Sequence, residues 1–207
     1  MDIMSTPWSI EVDGIPLPKQ LSGHPALELC NSRAGWRGAP VPSGEYLRSY
    51  DALALLAVTS GVMSAKAGTV LRRLAARRPD GAAEALERAR ALRADLYVAL
   101  TGRPGPASRR RLADAISTAH TRQRFVLENG AARWEFDDSP QLADPLDAFL
   151  LEAGALLTSE LREIVTACPG VDCGWLFLNG SGRRRWCQMA VCGNRAKQAA
   201  FAERRRS

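Results

Sequence analysis

The chain has 207 residues, 46% of them hydrophobic and 24% charged, which is enough apolar content for one core and a small appended module. No apolar run approaches the roughly 20 residues that a bilayer-spanning helix needs, so we expect a soluble, cytoplasmic protein without a membrane partner. The net charge of +6 falls within residues 168–207, which contain eight basic and two acidic side chains, and this favours a polyanionic partner.

Residues 1–20 are predicted to form an extended N-terminal segment. Three prolines exclude a continuous helix here, because proline lacks a backbone N–H and clashes with the preceding helical turn. The run Val12-Asp-Gly-Ile15 indicates the turn of a small hairpin, since Asp-Gly is favoured in two-residue turns.

Residues 21–158 are predicted to form a mostly helical domain. Near its start, Leu27 and Leu29 flank a polar residue, and this alternation predicts a short strand. Hydrophobic periodicity and capping residues then predict five helices, the first capped by Ser43 and the last beginning at Asp144. The predicted helices cover residues 43–59, 62–76, 80–100, 107–121 and 144–157.

Two shorter elements are predicted, one within this domain and one directly after it. Residues 125–127 and 133–136 predict a hairpin with Asn129-Gly130 at its turn, because these residue types adopt the positive φ that such turns require. Residues 159–166 predict a short helical lead into the next module. The sequence has no low-complexity linker, so we expect residues 159–207 to pack closely against the larger domain.

Four of the five cysteines form two equally spaced pairs, Cys168-x4-Cys173 and Cys187-x4-Cys192. Zn²⁺ prefers four sulfur or nitrogen ligands in a tetrahedron, and two such loops present four thiolates to one ion. Two disulfides would use the same residues, but we see no signal peptide, and thiols stay reduced inside cells. The spacing also differs from the Cys-x-x-Cys redox motif. We therefore predict one structural zinc ion, with Cys30 outside the site.

The residues between and after the cysteine pairs predict the remaining elements of this module. Residues 175–178 and 183–186 flank a turn rich in Asn and Gly and predict a β-hairpin. Good helix formers follow Gly193, and a helix there would place its positive N-terminal end beside the Cys192 thiolate. Knuckle, hairpin and helix in this order form a treble clef. The predicted fold class is α+β: a mostly helical N-terminal domain with short β-hairpins, followed by a treble-clef-like zinc finger.

The cysteine-rich module resembles a known family. The stretches CGWLFL at residues 173–178 and RRWCQMAVCGNRAK at residues 184–197 resemble the CGNR zinc finger. This resemblance implies a zinc-binding treble clef and a role in DNA binding by transcription regulators. The sequence departs from the family at Asn179, where an acidic residue is common.

The larger domain also resembles a known family. The stretch LELCNS at residues 27–32 is similar to the opening motif of the ABATE domain, which commonly precedes CGNR fingers. The resemblance covers about residues 20–150 and implies a sensing domain. Together with the polar residues that follow Leu29, it makes Asn31 and Arg33 candidate ligand-binding residues for an unidentified small molecule. Alternatively, Asn31 satisfies backbone groups at a turn.

The basic residues of the finger are the candidate DNA contacts. They are Arg183, Arg184, Arg185, Arg195, Lys197, Arg204, Arg205 and Arg206. Successive strand residues point to opposite faces, so Arg183, Arg184 and Arg185 cannot all reach one groove. Arg195 has an alternative role in holding the zinc loop by hydrogen bonds. For the whole set, solvation of arginines at a chain end is the other explanation.

The sequence offers little for catalysis. It contains two histidines, His24 and His120, and lacks a phosphate-binding loop, a nucleophile elbow and a zinc-protease motif. The sequence proximity of Cys30 and His24 leaves a thiolate pair open. We expect a DNA-binding transcription regulator, not an enzyme, whose N-terminal domain senses a small molecule or forms a homodimer. The alternatives are a zinc-stabilised module that binds protein or RNA, and an enzyme with its site in the larger domain.

Overall fold

The computed structural model describes residues 8–37, 44–128, 130–136 and 139–206. Within these ranges the helices are α1 (Pro25–Asn31), α2 (Tyr50–Thr59), α3 (Ala65–Arg77), α4 (Pro79–Thr101), α5 (Pro106–Thr121), α6 (Asp144–Leu157) and α7 (Asn194–Arg204). The strands are β1 (Ser9–Val12), β2 (Ile15–Pro18), β3 (Gln123–Glu128), β4 (Ala131–Phe136), β5 (Val165–Ala167) and β6 (Leu176–Leu178). They form three antiparallel two-stranded sheets, β1–β2, β3–β4 and β5–β6, so the predicted α+β class is confirmed.

The N-terminal hairpin follows directly from its turn residues. Strands β1 and β2 pair from Ser9 opposite Pro18 to Val12 opposite Ile15. The two residues between them, Asp13 and Gly14, have φ angles of 51° and 74°. Positive φ at both central positions gives a turn whose twist matches the strands. The turn predicted at residues 12–15 is therefore confirmed.

The strand predicted around Leu27 and Leu29 is wrong, because both residues lie in helix α1. His24 caps this helix, since its Nδ1 accepts a hydrogen bond from the Ala26 N–H at 3.2 Å. Pro25 follows at the first helical position, where its fixed φ suits a helix and no N–H is needed. All residues of α1 after Pro25 are buried, so their apolar spacing marks no single face.

The core of the larger domain is built around α6. Phe149 and Leu150 of this helix are fully buried, and α6 packs against α1, α2 and α5. Helix α2 begins later than predicted, at Tyr50, because Ser49 caps it by accepting a hydrogen bond from the Ala52 N–H. The predicted cap, Ser43, lies outside the described residues. Among the described helices, none has the length and apolarity needed to cross a membrane.

The hairpin predicted at residues 125–136 is present as β3–β4, between α5 and α6. Its register runs from Gln123 opposite Phe136 to Glu128 opposite Ala131. Gly130 lies in the turn with φ of 76°, and Asn129 lies outside the described residues. The pairing places Phe125 directly opposite Trp134.

The hairpin predicted between the cysteine pairs is wrong. Strand β6 pairs with β5, which precedes the first cysteine and overlaps the end of the predicted helical lead. The rest of that lead is confirmed as a 3₁₀ helix, Glu160–Ile164. Residues 183–186, all of which the structure describes, adopt no strand. The reason lies in Asn179, whose Oδ1 accepts from the Arg184 N–H at 3.1 Å and whose carbonyl accepts from Gly182. These bonds close a compact loop instead of a returning strand.

The second edge of β6 is held by the larger domain. The Asn31 amide donates from Nδ2 to the Leu176 carbonyl at 2.9 Å and accepts from the Leu176 N–H at 2.7 Å. Two residues later, the Leu178 N–H donates to the Ser22 carbonyl at 2.8 Å. The larger domain therefore takes the place of a third strand, and the finger packs directly on it.

Replacing Asn31 with alanine should destabilise the whole protein. The change leaves the buried N–H and C=O groups of Leu176 without partners, which costs about 2 to 4 kcal/mol. Denaturant unfolding should show a lower midpoint for this variant. Gln198→Ala, a change on the exposed surface of α7, serves as the control and should leave the midpoint unchanged. Equal midpoints for the two variants would contradict the role given to Asn31.

Candidate functional site

Four cysteine sulfur atoms converge in the finger. The Sγ atoms of Cys168, Cys173, Cys187 and Cys192 all lie within 4.8 Å of one another, and all four residues are buried. The Cys173–Cys187 and Cys187–Cys192 sulfur pairs are each 3.6 Å apart. Ligands about 2.3 Å from a central zinc ion in a tetrahedron are separated by about 3.8 Å. The observed separations fit that arrangement.

The same distances exclude the alternative of two disulfides in this structure. A disulfide requires sulfur atoms about 2.05 Å apart. All five cysteines of the chain are free thiols, and Cys30 is not one of the four that converge. The donor set therefore consists of four sulfur ligands from two short loops, which is the set expected for a closed structural zinc site.

The close packing of the sulfur atoms couples their protonation. Hydrogen bonds from Cys173 and the other two thiols lower the pKa of Cys168. A hydrogen bond with Cys168, together with those to the remaining thiols, raises the pKa of Cys187. Four negative charges at this spacing repel one another, so all four cysteines ionise together only when a cation lies between them.

The backbone of the first cysteine pair forms a tight loop continuous with the sheet. The Cys168 N–H donates to the Trp175 carbonyl at 2.8 Å, which extends the β5–β6 pairing into the metal site. The Cys173 N–H donates to the Gly170 carbonyl, and Asp172 and Gly174 adopt positive φ. The chain can therefore reverse direction within five residues and return Cys173 to Cys168.

The second cysteine pair is arranged by a single π-helical turn, Met189–Gly193, that leads into α7. Cys192 lies in this turn, two residues before α7 begins. A Cβ at Gly193 would lie 2.3 Å from the Met189 sulfur and 3.2 Å from the Trp186 ring, so a larger residue here would displace the exposed Met189 side chain. Asn194 closes the turn by donating from Nδ2 to the Ala190 carbonyl at 3.0 Å.

The loop of the first cysteine pair, residues 168–174 (the first knuckle), is held against the larger domain by an aromatic pair. The rings of Trp36 and Tyr97 stack at 3.9 Å, and the Tyr97 hydroxyl donates to the Gly174 carbonyl at 2.8 Å. A Cβ at Gly174 would approach the Trp36 Cβ to 2.7 Å. The Gly35 N–H donates to the carbonyls of the knuckle. The sequence did not predict this contact between the knuckle and the Trp36–Tyr97 pair, because Trp36 lies outside every periodic segment.

Comparison with known families supports the two-part organisation. The model of the ABATE family, described as "Putative stress-induced transcription regulator", matches residues 23–160, which is more than half of the chain. The chain belongs to the ABATE family. A second model, CGNR zinc finger, matches residues 165–205 and includes all four converging cysteines. Curated proteins gave no match to the chain. The prediction of a structural zinc ion held by the four cysteines of the CGNR finger is confirmed.

Arg184, one of the predicted DNA contacts, points into the protein between the CGNR finger and the ABATE domain. Its guanidinium donates to the Leu21 carbonyl at 2.8 Å and to the Cys187 carbonyl. It also lies 4.3 Å from the centre of the Phe177 ring. Arg184 therefore joins the second cysteine pair to the start of the ABATE domain.

The other predicted DNA contacts lie on the surface of the finger. All of them are exposed: Arg183, Arg185, Arg195, Lys197, Arg204, Arg205 and Arg206. Arg195 lies over the Trp8 ring at 4.4 Å, so it contacts the N-terminal hairpin region. DNA contact by these residues stays a prediction, and the structure divides them into Arg184 inside and seven side chains outside.

The predicted ligand-binding residues of the ABATE domain make contacts within the protein. Both polar atoms of the Asn31 amide are bound to Leu176, and the Arg33 guanidinium lies 4.8 Å from the Trp36 ring centre. A cavity of about 270 Å³ beside the first knuckle is not lined by Asn31 or Arg33. Its lining includes Trp8, Ala34, Tyr46, Cys173, Trp175, Cys192 and Arg195. Ligand binding at Asn31 and Arg33 stays a prediction.

Cys30 and His24 are placed for structure. Cys30 is fully buried, and burial raises the pKa of its thiol, so the thiol stays protonated near neutral pH. The Nδ1 atom of His24 is used to cap α1, and burial lowers the pKa of this imidazole. The thiol is therefore neutral, and one imidazole nitrogen is already hydrogen-bonded. Neither feature favours formation of a reactive thiolate.

Zinc content should depend on the converging cysteines and not on Cys30. We expect about one equivalent of zinc in the purified protein, and Cys187→Ser should lose it because one ligand of a closed four-ligand site is removed. Elemental analysis of the purified variants measures this directly. Cys30→Ala is the matched control, since it also removes a buried thiol, and it should retain the metal. Full zinc content in Cys187→Ser would contradict the assignment.

Arg184→Ala should lower stability while Arg183→Ala should not. Removing the Arg184 guanidinium leaves the Leu21 and Cys187 carbonyls without their donor, at a cost of about 2 to 3 kcal/mol. Arg183 is exposed, and its loss should change the unfolding free energy by less than about 0.5 kcal/mol. Denaturant unfolding of the two variants side by side measures the difference, and similar values would show that Arg184 is not structural.

Proposed function

We propose that this protein is a cytoplasmic transcription regulator whose CGNR finger binds DNA and whose ABATE domain senses a small molecule or forms a homodimer. The family description and the four-cysteine finger support a regulatory, nucleic-acid-linked role. The proposal is a binding function without catalysis. Location in the cytoplasm suits the free thiols, because that compartment keeps cysteines reduced.

The observation that carries the DNA-binding proposal is the position of helix α7. Every residue of α7 is at least partly exposed, although the helix has only 11 residues. A helix this short is marginal in water on its own, so its order depends on the zinc turn at its N-terminal end. The finger thus presents a basic helix that is fixed at one end and open along its sides.

The size and charge of this surface suit a DNA groove. Eleven residues give α7 a length of about 16 Å, and the major groove admits a helix of this diameter. Four thiolates and one Zn²⁺ carry a combined charge of −2, which leaves the finger region with an excess of basic charge. We assign Arg183, Arg185, Lys197 and Arg204 to Arg206 mainly to phosphate contacts, which position a protein without reading sequence.

The sensing part of the proposal draws on the cavity beside the first knuckle. Its lining joins Tyr46 of the ABATE domain to Cys192 and Arg195 of the finger. A small molecule bound there would contact both parts of the chain. Binding at this position could therefore shift the placement of α7, which is the physical requirement for a coupled response.

One observation favours the alternative of a protein-binding module. Apolar side chains stand exposed among the arginines of the finger, with Val171 83% exposed at the tip of the first knuckle and Phe201 57% exposed on α7. Exposed apolar side chains of this kind are typical of protein contact sites when they form a patch. A finger that binds protein and not DNA would use these residues.

A salt-dependent binding experiment tests the DNA proposal. The protein should bind a duplex from upstream of its own gene, and the variant with Arg183→Ala and Arg185→Ala should show a slope of log K against log salt that is smaller by about 1.8. Fluorescence anisotropy at several salt concentrations measures the slope. Both side chains are exposed, so the variant should keep its zinc and its fold.

The matched control carries Arg109→Ala and Arg110→Ala, which remove the same charge from the exposed surface of α5 in the ABATE domain. This control should keep the slope of the unmodified protein. Equal slopes for the two double variants would assign any binding to general charge and not to the finger. Binding to protein partners without binding to duplex DNA would favour the alternative module.

A further inference from the structure

We propose that the β3–β4 hairpin is a self-association arm, through which two copies of this chain pair antiparallel along strand β3 about a two-fold axis at Val126. This inference rests on the homodimer part of the proposed function and assigns the dimer surface to strand β3. It does not depend on DNA binding, because every contact lies in the ABATE domain.

One face of the hairpin is apolar and exposed. Phe125, Leu127 and Trp134 are 57%, 70% and 62% exposed. Phe125 and Trp134 are directly opposite in the register, with ring centroids 5.2 Å apart, so they share that face. Adjacent exposed apolar residues of this size mark interaction sites more often than ordinary surface.

The outer edge of β3 is available for pairing. In the described part of the chain, β3 and β4 form a sheet of their own, and no third described strand joins it. A two-residue connection closes on a hydrogen-bonded pair, here Glu128 and Ala131, and pairs alternate along the strands. The backbone groups of Phe125 and Leu127 therefore point away from β4, toward the open edge.

The sequence of β3 is complementary to itself when it is reversed. An antiparallel pair centred on Val126 sets Phe125 opposite Leu127 of the second copy on the apolar face. On the other face it sets Arg124 opposite Glu128 of the second copy, so that Arg124 lies between this carboxylate and that of Glu135, with which it pairs at 3.7 Å in its own hairpin. Symmetry repeats both cross-copy pairs. Opposite charges and apolar partners therefore meet in a single register.

Neighbouring registers lose this match. A centre at Phe125 sets Arg124 opposite Val126, and a centre at Leu127 sets Glu128 opposite Val126. A centre between two residues joins the apolar face of one copy to the polar face of the other, because side chains alternate along a strand. The charge pairs thus select the centre at Val126 over its neighbours.

Pairing with a second copy would also stabilise the hairpin. Two strands alone are marginally stable in water, while three or more strands with an apolar face are stable. Pairing along β3 would produce a four-stranded sheet with a continuous apolar face that includes Phe125, Leu127 and Trp134 from both copies. It would also cover two open edges that otherwise invite unspecific pairing.

Cysteine cross-linking of the full chain, without DNA, tests the register. Val126→Cys should form a disulfide-linked dimer on mild oxidation, because the residue on the axis faces its own copy at about 4.5 Å between Cα atoms. Glu128→Cys is the matched control in the same strand. Its two copies would be about 14 Å apart, beyond the reach of a disulfide. The native cysteines are buried, and the unmodified protein should stay unlinked.

Sedimentation of reduced protein supplies the second measurement. Phe125→Asp should weaken self-association by at least about tenfold, since it places an unpaired charge in the apolar contact. Arg124→Glu combined with Glu135→Arg keeps the ion pair within the hairpin with its signs exchanged, and this variant should weaken self-association by about tenfold. Adding Glu128→Arg should restore it to within about threefold, because the cross-copy charge pairs are re-formed. Zinc content and circular dichroism confirm that each variant is folded.

A chain that sediments as a monomer at every concentration would overturn the proposal, whether or not it binds DNA. Equal cross-linking at positions 126 and 128 would overturn the register, as would a dimer that is indifferent to Phe125→Asp. A dimer that cross-links at Val126 but fails to bind DNA would support the arm and separate it from the proposed function.

Discussion

The two edges of strand β6 are the constraint on which both parts of the protein depend. One edge pairs with β5, and the other is bound by the Asn31 side chain and the Ser22 carbonyl. A buried strand requires hydrogen-bond partners along both edges, because unpaired N–H and C=O groups are costly away from water. The finger therefore takes its position from helix α1, and separation of the two parts would expose the backbone of Leu176.

The metal site and this sheet stabilise one another. The Cys168 N–H bonds to the Trp175 carbonyl at the end of the β5–β6 pairing, so the first knuckle is a continuation of the sheet. Tyr97 holds the same knuckle from helix α4 through Gly174. Zinc binding connects the first knuckle, which is bonded to the sheet and to Tyr97, with the turn that leads into α7. A change in the ABATE domain therefore has a short physical path to the helix that carries the basic residues.

Local features of the sequence predicted their elements, whereas features that depend on distant segments did not. The Asp13-Gly14 turn and the apolar stripes of the long helices act within a few residues, so their elements were predicted within a few positions. Helix α1 was mistaken for a strand because it is buried on all sides, and burial on every face removes the periodicity that separates helix from strand. The partner of β6 was mistaken because strand pairing depends on segments far apart in the sequence.

The sequence by itself determined the zinc ligands, since the equal spacing of two cysteine pairs restricts how four sulfur atoms can meet. It also determined that the excess of basic charge lies in the finger. Only the tertiary structure decided which of those arginines face solvent. Arg184 and its neighbour Arg183 are alike in sequence, but one is drawn inward by the carbonyls of Leu21 and Cys187 and the other faces solvent. The direction of a side chain depends on which polar groups packing leaves without partners, and one of those groups, the Leu21 carbonyl, lies 163 positions away in the sequence.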